Sequence, residues 1–385
     1  MPVGTIFEDA AKLGGPLTVR ERFRRVMHYQ KVDRIPFFEF GYWDETLARW
    51  HEEGLPREID NEAKAYAYFG IENWGGVPAN VQLTGRPYEP QTIEETDDYI
   101  ITRDAVGTVA KQNKGRDRTI PHYLEYGLKS RDDWARFKAH LKPTLEGRIN
   151  PRFYENIPRY RTRDYPLSAP IGSMIGVPRN WLGFERCATL AYDDPDLLDD
   201  IVETLCQCVV VVLEEICQYV EFDFGAGWED ICFNSGPIVS PWIFDKFIVP
   251  RYARITAVLH KHGCDIAWTD CDGNVCPILD QFLRGGINCM FPVEVNAGSD
   301  PVKIRDTCGE AMRMVGGVDK MKLQQGPAAI EAELARLLPI VEQGGFIPTV
   351  DHRVPASVSL ENYKFYIKTK RQMFRAGYRE PQYAE

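Results

Sequence analysis

The sequence predicts an α/β fold, a single (β/α)8 barrel that occupies residues 1–385. Three observations support this prediction: short apolar runs alternate with amphipathic segments, the chain is long enough for one large barrel, and polar residues follow the apolar runs. Short runs that are apolar on both faces are typical of parallel strands with helices on either side. The predicted strands are 34–40, 69–74, 167–172, 221–226, 264–269, 287–291, 311–316 and 345–349.

Helices are predicted between several of these strands. Segments 194–220, 241–262, 275–284 and 328–342 repeat apolar residues every three or four positions, which is typical of an amphipathic helix. The first of them opens with Asp194-Pro195, a capping residue followed by a residue suited to the first helical turn.

One segment departs from the alternation of strands and helices. Residues 93–129 contain the alternating stretches 99–103 and 108–112, joined through Asp104 to Gly107. This pattern predicts an antiparallel hairpin insertion after the second strand. A plain insertion is the preferred interpretation, and a lid over the site is the alternative.

Composition limits the classes of partner. The net charge of −10 argues against nucleic acid, since phosphate binding needs a basic surface. Because no run of 18 apolar residues exists, a membrane span is not expected. Ten cysteines without a CxxC spacing suggest reduced thiols and a cytoplasmic location. The oligomeric state stays open, a homodimer included.

Two carboxylates follow the predicted strand 264–269. Side chains alternate along a strand, so Asp270 and Asp272 should lie on one face, about 6–7 Å apart along the chain. Carboxylates that leave a buried strand need a metal ion, a cationic partner or a shared proton. We therefore predict a metal or substrate site at Asp270 and Asp272, although Asp272-Gly273-Asn274 also suits an ordinary turn.

Other polar residues follow neighbouring strands. His352 lies beyond the last predicted strand, and Glu229, Asp230 and Asn234 follow the run 221–226. In a barrel these positions open onto the same mouth. We expect catalytic roles for Glu229, Asp230 and His352 and a substrate contact from Asn234; capping of a following helix is the alternative for the Glu229–Asp230 pair.

From residue 18 to residue 374, the chain resembles the uroporphyrinogen-decarboxylase-like superfamily, which includes cobalamin-dependent methyltransferases. The segments that carry the resemblance are RERFRRVMHYQKVDRIPFFEF, IGVPRNWLGFERCATLAYDDPDLLDDIVETL, SGPIVSPWIFDKFIVPRYARITAVLHKHG, DCDGNVCPILDQFLRGGINCMFPVE, MRMVGGVDK and GGFIPTVDHRVPASVSLENY. Their order and spacing imply the barrel fold of the superfamily, and they do not select one activity.

The segment after the first strand differs from that of the true decarboxylases. Those enzymes carry an arginine-rich stretch there, which clamps the carboxylates of a tetrapyrrole. This chain has Phe38-Glu39-Phe40-Gly41-Tyr42-Trp43 instead, with no bidentate cation and with an acid that would repel such a substrate. The departure argues against porphyrinogen decarboxylation. Glu39, Tyr42 and Trp43 are expected to line a different substrate pocket, with core packing the alternative for the last two.

The methyl-transferring branch of the superfamily implies a metal. Its members bind zinc through a His-x-Cys pair after strand five and a cysteine near the end of strand eight, and the corresponding positions here are Asp270, Asp272 and His352. Two carboxylates and an imidazole can hold a divalent metal, with zinc the first expectation and manganese, iron or magnesium credible.

The resemblance therefore implies a corrinoid-dependent methyltransferase. Such an enzyme moves a methyl group between a small methylated substrate and the cobalt of a partner corrinoid protein, which supplies the cobalamin. Two alternatives remain: a decarboxylase of a substrate other than uroporphyrinogen, and a binding barrel without catalysis.

Overall fold

The computed structural model describes residues 4–114 and 121–375 and shows an α/β fold built on a parallel sheet. The strands are β1 Gln91–Glu95, β2 Tyr99–Arg103, β3 Val109–Asn113, β4 His122–Glu125, β5 Ser168–Gly172, β6 Phe224–Trp228, β7 Cys232–Phe233, β8 Gly236–Pro237, β9 Ala267–Asp270, β10 Cys289–Phe291, β11 Arg313–Val318 and β12 Phe346–Val350. Six of them form a parallel sheet in the order β12-β11-β10-β9-β6-β5. Each of these six overlaps a run that the sequence predicts as a strand.

Helices connect the parallel strands. They are α1 Val19–Met27, α2 Asp44–Glu52, α3 Glu62–Phe69, α4 Arg131–Lys138, α5 Arg152–Glu155, α6 Ile157–Arg161, α7 Gly176–Leu182, α8 Phe184–Asp193, α9 Pro195–Ile216, α10 Pro241–Ile243, α11 Val249–Lys261, α12 Leu279–Arg284, α13 Pro301–Cys308, α14 Lys320–Leu323, α15 Pro327–Gln343 and α16 Leu360–Met373. As predicted, Asp194 caps α9 by accepting a hydrogen bond from the Leu197 amide at 3.1 Å. None of the described helices combines the length and apolar character that a membrane crossing requires.

The first predicted strand, 34–40, is extended but forms no ladder. Pro36 lacks an amide hydrogen, which disfavours a central strand position. A single parallel bridge between Tyr42 and Val354 ties the end of this segment to the chain just beyond β12. The segment therefore borders the sheet at its β12 edge.

The second predicted strand, 69–74, also needs correction. Phe69 is the last residue of α3, and Gly70 ends that helix in the left-handed region with φ 64°, where glycine carries no steric penalty. The following residues are extended, and a parallel bridge joins Gly75 to Leu167 beside β5. A hydrogen bond of 2.8 Å from the Glu72 amide to the Phe37 carbonyl links the two bordering segments.

The predicted insertion is present as an antiparallel sheet of four strands, β1-β2-β3-β4, and not as a single hairpin. Its central pair, β2 and β3, contains the two alternating stretches that the sequence indicates. The segment that follows β4 is tied to α7, where the Leu128 amide donates to the Trp181 carbonyl at 2.9 Å. Residues 115–120 of the predicted insertion lie outside the described residues.

An aromatic layer lies on the face of the parallel sheet that also carries Asp270. The Trp268 ring lies 4.2 Å from Phe224, 5.5 Å from Phe291 and 5.1 Å from Trp74, between ring centroids. Side chains two residues apart on a strand share a face, so Asp270 follows Trp268 on this side. The aromatic layer thus forms an apolar floor beneath the polar residues at the carboxyl ends of the strands.

Candidate active site

Four of the predicted site residues come together at the carboxyl end of the parallel sheet. Asp270 ends β9 and pairs in register with Trp228 of β6 and Phe291 of β10. The Nε2 atom of His352 lies 3.3 Å from Oδ2 of Asp272. The charges of Asp230 and Asp272 both act on Asp270. The sheet therefore brings three carboxylates and one imidazole to one end of neighbouring strands.

The Asp270 carboxyl group is the most perturbed acid of this cluster. Burial and the negative charges of Asp272 and Asp230 raise its pKa to about 8, and Arg353 only partly opposes the shift. Burial and nearby negative charges both disfavour the ionised form of a carboxyl group. At neutral pH Asp270 therefore holds a proton unless a cation is bound beside it.

Asp272 supplies an oxygen atom that lacks a partner. Its Oδ1 atom is buried and accepts no hydrogen bond within the described part of the chain. A buried acceptor without a donor costs free energy, which a metal ion, a cationic substrate group or a proton would recover. The chemistry of the donors, two carboxylates and an imidazole, fits a hard or borderline divalent ion. Within residues 4–114 and 121–375, no three such side chains are already arranged as a metal site.

Asp230 is held by its backbone and by one arginine. It has φ 43°, a left-handed conformation that aspartate tolerates better than most residues. Arg179 of α7 donates hydrogen bonds to the Asp230 carbonyl and, at 3.1 Å, to its carboxylate. Burial raises the pKa of Asp230, Arg179 counteracts that effect, and the charge of Asp272 adds to it.

Aromatic rings flank His352. Its imidazole is stacked on Trp43, with ring centroids 5.6 Å apart and planes 28° apart, and it meets the edge of Phe40 at 5.3 Å. Trp43 is 45% exposed, so its indole faces solvent beside the cluster. The structure thus places Trp43 beside the acidic cluster, and its predicted contact with a substrate stays a prediction.

The prediction for Glu229 needs correction because its carboxylate does not face the cluster. It is completely buried and accepts hydrogen bonds from the amides of Met174, Ile175 and Gly176 at 2.7, 2.9 and 2.7 Å. The Tyr252 hydroxyl donates to the same group. Burial raises the pKa of Glu229, and these donors counteract the shift. Glu229 thus anchors the first turn of α7, and its oxygens are not free to bind a metal or a substrate.

Glu39 and Tyr42 also lie in the core and not in a pocket wall. Glu39 is 1% exposed and forms an ion pair of 2.5 Å with Lys370. It accepts further hydrogen bonds from Tyr366 at 2.9 Å and from the Val350 amide at 3.1 Å. The Tyr42 hydroxyl lies 2.9 Å from that of Tyr363, both buried. These contacts correct the expected substrate role of Glu39 and select core packing for Tyr42.

Asn234 is exposed in the turn between β7 and β8. This turn is attached to the loop that carries Asp272, since the Asn274 amide donates to the Phe233 carbonyl at 2.9 Å. Asn234 therefore lies on the rim near the acidic cluster, and its predicted contact with a substrate stays a prediction.

Sequence reasoning missed several charged residues around the cluster. Arg179 comes from a helix and Arg353 follows His352. Lys320 lies between Glu294 and Asp351 at the ends of neighbouring strands, with its ammonium 3.0 Å from Glu294 and 3.5 Å from Asp351. The runs FPVE, GGVDK and TVDHR each place a charge within three residues after a strand. Counting every charge at a strand end would have included Glu294, Lys320 and Asp351.

A family model and the curated relatives of this chain carry the same description. Residues 116–373 match the family model described as uroporphyrinogen decarboxylase (URO-D). A uroporphyrinogen decarboxylase of Neisseria meningitidis is 27% identical over 202 residues, which are 50% of this chain and 53% of that protein. One of Pseudomonas fluorescens is 24% identical over 200 residues, 49% of this chain and 52% of that protein. The chain thus spans about half the length of the curated relatives it matches.

A solved structure extends the similarity of the fold over nearly the whole chain. A methyltransferase from Methanosarcina mazei superposes with a TM-score of 0.57 and 16% identity, covering 92% of this chain and 99% of that one. At this identity the match concerns the fold alone. The family model covers well over half of the residues and includes Asp230, Asp270, Asp272 and His352. The chain belongs to the uroporphyrinogen decarboxylase family.

Proposed function

We propose that the protein is a metal-assisted methyltransferase that moves a methyl group between a small methylated substrate and the cobalt of a partner corrinoid protein. The observation that carries the proposal is the group of donors at the carboxyl end of the sheet. Asp270, Asp272 and His352 meet there, and one buried oxygen of Asp272 has no hydrogen-bond partner among the described residues.

The proposed architecture is a closed barrel of eight positions. The six paired strands would be completed by the extended segments 34–42 and 70–75, which border the sheet through single bridges. In such a barrel the active site lies at the carboxyl ends of the strands, where the acidic cluster is found. The open end beside Trp43 would receive the partner's corrinoid.

In this proposal Asp270, Asp272 and His352 would hold a divalent metal, with zinc the first choice. The metal would polarise the heteroatom that carries the methyl group, as a Lewis acid. Asp230 would give a proton to that heteroatom as its bond to the methyl carbon breaks, and its raised pKa suits this role. The aromatic floor and the indole of Trp43 would exclude water and orient the donor, because in-line transfer depends on alignment.

Methyl transfer to free reduced cobalamin tests the proposal. The purified protein is mixed with cob(I)alamin and, separately, with methanol, methylamines, an aryl methyl ether and a methyl thioether. The absorbance change to methylcobalamin is followed for each donor. We expect turnover with one class of donor and a loss of about 100-fold or more in Asp272→Asn, since metal-site residues typically have effects of this size. Asp306→Asn, at an exposed position of α13, is the matched control.

A second function is favoured by one observation. With a pKa of about 8, Asp270 can act as a general acid at neutral pH, which suits decarboxylation of an acid other than uroporphyrinogen. The same preparations are therefore assayed for release of carbon dioxide from candidate acids in the presence of a chelator. Metal-independent release of carbon dioxide without methyl transfer would replace the methyltransferase by a lyase.

A further inference from the structure

We propose that Lys320 is a positioning residue for the active site and sets the separation of Asp272 and His352. These two side chains come from different loops, one after β9 and one after β12. Nothing in the sequence joins the loops, which lie 80 residues apart. The inference deepens the proposed function, on which it rests for its chemical meaning.

One end of the link is the loop of Asp272. The amide of the next residue, Gly273, donates to Oε2 of Glu294 at 3.1 Å. Gly273 has φ 84°, and a Cβ atom there would come within 2.4 Å of the Cys232 carbonyl oxygen. The loop is therefore packed closely against the β7–β8 hairpin on one side and held by Glu294 on the other, so a movement of Glu294 would displace Asp272.

The other end of the link is the residue before His352. Asp351 is completely buried and accepts hydrogen bonds from the amides of Lys320 and Val295, both at 3.0 Å. These two amides belong to the segments that follow β11 and β10. Asp351 therefore fixes the chain that carries His352 against both neighbouring strand ends.

Lys320 joins the two ends. Its ammonium lies 3.0 Å from Oε1 of Glu294 and 3.5 Å from Oδ1 of Asp351, and its side chain is only 16% exposed. A cation shared by two half-buried or buried carboxylates is weakly screened by solvent. Without this charge, Glu294 and Asp351 would repel each other and the loops attached to them would separate. The 3.3 Å contact between Asp272 and His352 depends, by this reasoning, on Lys320.

The ammonium of Lys320 contacts Glu294 and Asp351, neither of which belongs to the acidic cluster, so its role differs from that of a ligand. Both of its charged partners, Glu294 and Asp351, accept hydrogen bonds from backbone amides of neighbouring loops. Residues that orient ligands in this indirect way typically change metal affinity by 10- to 100-fold when they are replaced. Lys320→Arg should keep part of the metal affinity, because arginine keeps the charge but not the shape of the lysine side chain.

The test compares Lys320→Met with Lys322→Met, a control on the same short helix α14, and with Lys320→Arg. Crystal structures are determined without added metal, and zinc affinity is measured by competition with a chromophoric chelator. We expect Lys320→Met to lose the 3.3 Å contact and about tenfold or more in zinc affinity. Lys322→Met should keep both, and Lys320→Arg should recover most of the affinity. An unchanged contact in Lys320→Met would overturn the proposal.

A second variant guards against misfolding of Lys320→Met. Glu294→Gln keeps the volume of the side chain and leaves the pair of Lys320 with Asp351 intact. It should shift the Asp272 loop while the chain at His352 stays in place. A structure in which neither loop moves contradicts the positioning role. If the wild-type protein binds no zinc but the contact still breaks in Lys320→Met, the positioning role stands and the metal of the proposed function fails.

Discussion

Replacement of Glu229 by glutamine should lower the free energy of unfolding without removing a catalytic group. The carboxylate accepts hydrogen bonds from three consecutive backbone amides and from Tyr252. In its best orientation, the amide of glutamine can place its oxygen toward Ile175 and Gly176 and its NH2 group toward the Tyr252 hydroxyl. The Met174 amide is then left without an acceptor. A buried donor without a partner costs about 1–3 kcal/mol, so the loss for Glu229→Gln should fall in that range.

Glu229→Ala extends the same calculation. It leaves all three amides of residues 174–176 without the acceptor they have now. The free energy of unfolding should therefore fall by about 3–9 kcal/mol. Because whole domains are stable by about 5–15 kcal/mol, this variant should be largely unfolded or insoluble.

Urea denaturation followed by circular dichroism measures both effects. For Glu229→Gln the midpoint should fall while the slope with denaturant stays constant, which indicates a change in stability alone. Turnover per folded molecule should stay within a few fold of the wild-type value. A variant with unchanged stability and abolished turnover would instead give Glu229 a catalytic role.

Three further predictions concern charged groups. The pKa of Asp270 is raised to about 8 in the folded protein. Between about pH 4 and pH 8 the folded state therefore binds a proton that the unfolded state has released. In the presence of a chelator, the free energy of unfolding should fall as the pH rises through this range. Urea titrations should show a smaller decline for Asp270→Asn, because Asp351 and Asp230, whose pKa values are also raised, still titrate in it. At pH 8 the variant should be more stable than the wild type by up to about 5 kcal/mol; parallel pH curves would contradict the assignment. Arg179→Gln removes the cation that lowers the pKa of Asp230, so the pH profile of kcat/KM should move to higher pH. An unmoved profile would exclude Asp230 as the titrating group. Lys370→Met should lower the free energy of unfolding by about 3–5 kcal/mol, because it leaves Glu39 buried and unpaired. In urea denaturation, the double variant with Glu39→Gln should regain most of this loss. Additive losses in the double variant would contradict the pairing.

The parallel strands were predictable from the sequence because burial on both faces leaves continuous apolar runs. The two bordering segments were not, since apolar composition alone does not show whether a ladder forms. In the first segment Pro36 removes a donor, and in the second α3 extends to Phe69. The antiparallel insertion was recognised by alternation, but its four-stranded extent depends on β1, which is exposed and carries little apolar signal.

The candidate site was predictable where charges follow strands, and the predictions failed where a charge is neutralised by a distant partner. Glu39 is paired with Lys370 on α16, 331 residues away in sequence, which no local pattern reveals. The error for Glu229 could have been avoided. Alternation from Trp228, whose face carries the aromatic layer, places Glu229 on the opposite face of β6 toward α7 and α11.

Zinc binding by the purified protein is the most direct test of the proposed metal site. Competition with a chromophoric chelator is measured for the wild type, Asp272→Asn, His352→Ala and the control Asp306→Asn. We expect about one equivalent of bound zinc in the wild type and the control. Affinity should fall about 100-fold or more in the two site variants. Equal affinity in all four proteins, or no binding by the wild type, would contradict a metal site at Asp270, Asp272 and His352.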